Sequence, residues 1–170
     1  MVMERMMRIE DKLKTIRKHQ SSAPVSVIPL AEALGLKVYY ADWPREVSGK
    51  IERRDDAGSE SGYAIFVNRN HPPQRRRFTI AHEISHFVLH REQIGKGISD
   101  DGLYRSGLPR RTEVEANQMA ADILMPWHLI NKAMEDGANT VQALAEILKV
   151  SNSAMSIRLG VPYEDGSRTN

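Results

Sequence analysis

Phe78-Thr-Ile-Ala-His82-Glu83-Ile-Ser-His86-Phe-Val-Leu-His90 is the stretch that decides how this chain reads. Ile80, Ile84, Phe87 and Val88 recur at helical spacing and can bury one side of a helix. His71-Pro72-Pro73 stands just ahead and suits a helix start, because proline has no N–H to lose in the first turn. The pattern predicts a helix from Gln74 to about His90. On it, His82 and His86 lie one turn apart on the same face, roughly 6 Å along the axis. Two imidazoles so placed can converge on one tetrahedral cation. Glu83 projects beside that ion, where it can reach a water without being a ligand. The apolar flanks supply the dry wall that strengthens ligand electrostatics.

The chain has no cysteine, so it has no disulfide, no thiol nucleophile and no thiolate site. Any metal must be held by histidine and carboxylate. His90 continues the i+4 series, but it lies about 12 Å from His82 along the axis, too far for bonds of about 2.0 Å to one ion. It reads as a structural group or one standing behind a ligand. A second long helix, from about Arg110 to Met125 and stopped by Pro126, offers Glu113 as third ligand. Asn117, one turn later, can hydrogen-bond the far nitrogen of a ligand histidine. Ala116 and Ala120 are small enough to let the two helices approach. Glu115 is the alternative ligand or supporting group, although carboxylates at a helix start also favour the macrodipole when merely solvated.

Around these helices the chain reads as α+β. A charged N-terminal helix over 3–19 carries Met6, Ile9, Leu13 and Ile16 on one stripe and is broken by Ser21, Ser22 and Pro24. A short helix runs from Pro29 to Leu34. Strands follow at Leu36–Tyr40, Val47–Glu52 and Gly62–Asn68, with a hairpin turn at Arg53–Ser61, and predict a small antiparallel sheet. Residues 91–108, with four glycines, read as a long loop. Short helices fill Trp127–Leu159, with Trp127, Leu129 and Met134 expected in the core. Val141–Gly160 has a helix-turn-helix pattern capped at Ser151. Its second helix offers Asn152, Ser153, Ser156 and Arg158, a single basic residue, which favours packing on the core over phosphate contact.

The expected organisation is one domain over 1–170: helix and linker at 1–24, metal-site core at 25–135, helical pair at 140–160 and a tail at 161–170. With 41% hydrophobic and 27% charged residues, the 170-residue chain has ordinary globular composition. Its net charge of +2 does not by itself argue for nucleic acid. No apolar run approaches the ~18 residues of a membrane span, and the first residues do not look like a signal peptide, so the expectation is a cytoplasmic protein. Arg75, Arg76 and Arg77 oppose the macrodipole at the start of the metal helix and read as a solvated face, or as partners of Asp55 and Asp56.

Two motifs carry a family likeness. Asn68 … Arg77-Phe78-Thr79-Ile80-Ala81-His82-Glu83-Ile84-Ser85-His86-Phe87 … Leu89-His90 resembles the ImmA/IrrE family of metallopeptidases, as does Glu113-x-Glu115-Ala116-Asn117-x-x-Ala120-Ala121-x-x-Leu124-Met125-Pro126. Ser48-Gly49 and Gly62-Tyr63 match the upstream sheet, and the likeness covers roughly 25–160. One departure is Met119, where an aromatic residue is frequent. The resemblance implies a zincin-like metallopeptidase domain with one zinc (manganese being the alternative), His82, His86 and Glu113 as ligands and Glu83 as catalytic base. It implies a protein substrate, a helix-turn-helix repressor, whose cleavage relieves repression in a phage, mobile element or stress response. Tyr63, Asn68 and Arg77 are candidate substrate-binding residues. Tyr63, Tyr104 and His128 are candidates for an oxyanion donor, and Gly62–Asn68 for an edge strand that pairs with substrate. The competing reading is a non-catalytic DNA-binding or antitoxin-type regulator with a structural metal site, which would have no need of Glu83.

Overall fold

The computed structural model describes residues 7–94, 98–101 and 110–162. Its central element is the helix α3, Pro73–Leu89, buried along its length from Thr79 to Val88. Before it come α1 (Ile9–Lys18), α2 (Val27–Ala33), β1 (Lys37–Ala41), β2 (Val47–Arg53) and β3 (Tyr63–Asn68). After it come a single 3-10 turn at Arg91–Gln93, β4 (Ile98–Asp101), α4 (Arg110–Leu124), α5 (Trp127–Glu135), α6 (Val141–Leu148) and α7 (Asn152–Leu159). The class is α+β, as the alternation of patterns predicts.

The sheet differs from the antiparallel one expected. Its order is β1-β3-β2-β4, and it is mixed. β2 and β3 form the expected hairpin, with Ile51 opposite Ile65 and Gly49 opposite Val67. β1 instead pairs parallel to β3, Val38 opposite Ile65. The cause is the loop between β1 and β2, which crosses the end of β3 instead of turning back. Asn68, fully buried at that end, holds the crossing: its Nδ2 donates to the carbonyls of Pro44 at 2.9 Å and Val47 at 2.8 Å, and its Oδ1 accepts from Asn70 N at 3.0 Å. β3 is therefore a central strand, buried on both faces, as its Ala64-Ile65-Phe66-Val67 run suits. It is not an edge available to substrate; the edges are β1 and β4. β4 itself falls within the stretch read as loop. Four residues, three of them polar, give no alternation to read, and the strand exists through its pairing with β2.

α3 lies against the sheet at Gly49. A Cβ there would come within 2.5 Å of Thr79 Cγ2 and 2.8 Å of Phe66 O, so only glycine permits this approach. On its other side α3 meets α4 through Ala116 and Ala120, both fully buried. α1 crosses the end of α3, where Lys12 sits with its Nζ 4.2 Å from the Phe87 ring centroid.

The segments flanking this pair, N-terminal and C-terminal, are tied to it by charged and polar donors at helix ends. Gln20 Nε2 donates to Asp122 O at 2.8 Å and Ile123 O at 3.0 Å, satisfying the last turn of α4. Arg158 Nε donates to Met125 O at 3.0 Å and its Nη1 meets Asp122 at 2.9 Å. Arg77 Nε donates to Lys149 O at 3.1 Å, at the end of α6. Thr140 and, as expected, Ser151 cap α6 and α7. Leu129 is in the core, but Trp127 and Met134 are about half exposed, because the buried stripe of α5 runs through Leu129, Ile130 and Ala133.

Gly49→Ala is expected to destabilise the fold by about 1–3 kcal/mol through overpacking of β2 on α3, read as a lowered urea midpoint with an unchanged slope.

Candidate metal centre

Three buried side chains from two helices meet between α3 and α4. His82 and His86 stand at i and i+4 on α3, and Glu113 comes from the first turn of α4. The two Nε2 atoms are 3.0 Å apart. Glu113 Oε2 lies 3.2 Å from His82 Nε2, and Oε1 lies 3.3 Å from His86 Nε2. Four tetrahedral ligands with bonds of about 2.0 Å keep about 3.3 Å from one another. The donor set therefore fits one divalent ion, and among the described residues no other group of His, Cys, Asp and Glu closes in this way.

The electrostatics agree. The close approach of the His82 and then the His86 imidazole holds the Glu113 carboxyl well below the usual carboxylate range, although burial pushes it up. Burial is the largest influence on His86 and lowers its pKa; Glu113 pulls the other way and does not win. A neutral imidazole beside an ionised carboxylate is the protonation pattern that ligation requires. Two nitrogens and a carboxylate facing one another in a dry site are costly without a cation among them. Glu83, fully buried, is carried on α3 directly after His82.

Behind His86 runs a chain of contacts. Its Nδ1 is 3.1 Å from His90 Nδ1, and His90 Nε2 is 3.1 Å from Glu115 Oε2. Arg111 Nε donates to Glu115 Oε1 at 2.9 Å. Glu115 thus stands outside the three-residue cluster; hydrogen bonds from His90 and then Arg111 keep its carboxyl below the ordinary range. The supporting role expected of Asn117 falls instead to His90 and Glu115. Asn117 is exposed. Helical phase explains the exchange, since His90, the C-cap of α3, brings an imidazole to the face where Glu115 can meet it.

Of the residues expected to bind substrate, two are engaged elsewhere. Asn68 spends its amide on the crossing loop and Arg77 on the end of α6. Tyr63 is buried on Phe87, ring centroids 5.4 Å apart, with Arg91 over its ring at 5.1 Å. His128 Nε2 donates to Gln20 O at 2.7 Å, which engages that nitrogen. Tyr104 lies outside the described residues. Arg75 meets Ser48 and Arg76 meets Arg69 O, whereas Asp55 and Asp56 pair with Arg53 and Arg54.

A model of the peptidase family described as IrrE N-terminal-like domain matches residues 31–160, which contain all of these groups. The chain belongs to that family. The radiation response metalloprotease IrrE of Deinococcus radiodurans is 34% identical to this IrrE-like chain over 106 residues, 62% of the chain and 32% of the relative. The protein of the same name from Deinococcus deserti is 34% identical over 97 residues, 57% and 34% of the two. The matched region thus spans about a third of each relative. In fold, the IrrE-like chain is similar to a Mycobacterium tuberculosis transcriptional regulator, with a TM-score of 0.57 and 17% identity over 93% of this chain and 49% of the other. At that identity the likeness concerns the fold alone.

The purified chain is expected to bind one divalent ion, and His86→Ala to reduce binding to background, as measured by elemental analysis after gel filtration. Removal of the ion by a chelator lowers the melting temperature, because the ion stabilises only the folded site.

Proposed function

We propose that the chain is a zinc-dependent, cytoplasmic endopeptidase that cuts a regulatory protein of the helix-turn-helix repressor class at a defined site, relieving repression. The observation that carries this reading is the buried closure of His82, His86 and Glu113 with Glu83 adjacent on the same helix. A two-histidine, one-carboxylate set without cysteine suits zinc in a catalytic arrangement. His82, His86 and Glu113 would hold the ion, which would supply Lewis acidity toward the scissile carbonyl and a water.

The chain's own groups supply the rest. Glu83 accepts the proton of the attacking water and returns it to the leaving amine. His82, His86 and Glu113 keep their geometry because they stand on packed helices and not on loops. The apolar residues around α3 exclude bulk water, which strengthens each electrostatic contact inside. The protein substrate and the repressor class rest on the family likeness. Membership in a metalloprotease family supports peptide hydrolysis.

The competing DNA-binding reading finds less support. Arg158, the one basic residue on α7, is committed to Met125 O and Asp122, and its helix has little with which to hold phosphates. Among the described residues no helix is long and apolar enough to cross a membrane.

Glu83→Gln is expected to retain the ion while cleavage falls by about two to four orders of magnitude. The check is incubation with helix-turn-helix repressors of the same genome, read by gel and by mass of the products. Full-rate cleavage by this variant would remove Glu83 from the mechanism.

A further inference from the structure

Two ligand imidazoles sit in the centre, and the chain treats them differently. His82 Nδ1 is buried and has no hydrogen-bond partner among the described residues. His86 Nδ1 faces His90, which faces Glu115, which faces Arg111. The direction of these bonds follows from the far end. An ionised carboxylate only accepts, so His90 carries its proton on Nε2 and donates it to Glu115. His90 Nδ1 is then an acceptor, and it can accept only if His86 carries its proton on Nδ1. That leaves Nε2 of His86 with a free lone pair, pointed at His82 and Glu113.

We infer that His90 and Glu115 are positioning residues that fix His86 as the tautomer able to ligate, with Nε2 open toward the ion. The inference rests on the reading of the centre as a metal site. Arg111 completes the device: its guanidinium is a donor to Glu115 and favours the ionised carboxylate on which the whole direction depends. The relay runs from a fully buried imidazole to a carboxylate whose side chain is 40% exposed. Its outer member can therefore be changed without opening the core. The arrangement also explains why α3 is capped by a third histidine that is too far from the first to share its ion.

The test uses the full chain labelled with 15N-histidine and loaded with zinc. Long-range proton–nitrogen spectra should show His90 with its proton on Nε2 and His86 with a protected Nδ1–H. Zinc affinity, measured by chelator competition, should fall about 10- to 100-fold in Glu115→Leu. Glu115→Gln, whose amide oxygen still accepts from His90, should fall less. Circular dichroism confirms that each variant is folded, and His90→Phe provides an independent break in the relay. Failure of the unaltered chain to bind zinc overturns the metal reading and this inference with it. Tight binding by the unaltered chain that Glu115→Leu and His90→Phe both leave unchanged overturns this inference alone, as does a proton on His90 Nδ1.

Discussion

An ionised carboxylate in a dry cleft between two helices is the constraint around which this molecule is arranged. Glu113 is buried, and so are the imidazoles that face it. A charge so placed is tolerable only when its partners are held at hydrogen-bonding or ligand distance. The partners belong to another helix, so the angle and separation of α3 and α4 must be kept to within a fraction of an ångström. Much of the remaining sequence serves that end: Ala116 and Ala120 where the helices touch, and Gly49 where α3 presses on the sheet.

The sheet contributes by being rigid where α3 rests on it. β3 is paired on both sides, and the loop that crosses its end is fastened by three carbonyls converging on the amide of Asn68. That residue sits in a family-like motif and invites a functional reading, yet its donors are spent on architecture. Arg77 teaches the same lesson: a cation in the motif that bears the histidines closes a helix end.

The two helices that bring His82, His86 and Glu113 together were legible from the sequence because each carries its own helical period, and on the first the i+4 spacing of His82 and His86 is a local pattern. Strand positions were legible for the same reason. The parallel pairing of β1 and the existence of β4 were not, since the first depends on where a loop crosses and the second on pairing with β2, not on any alternation within the strand. The supporting shell was half legible. The i+4 series ending in His90 was visible, but the choice between Asn117 and Glu115 depends on the rotation of α4 about its own axis, which no short window records. Trp127 and Met134 misled because they are large and apolar, while the buried face of α5 is set by its neighbours.

The clamps on the C-terminal helices have a mechanical consequence. Arg77 leaves the helix that bears the histidines and grips the end of α6; Arg158 leaves α7 and grips the end of the helix that bears Glu113. The last two helices thus form a strut bolted at each foot to a different half of the centre. Anything that pulled on this strut would tilt one jaw against the other, so a surface far from the chemistry holds leverage over it.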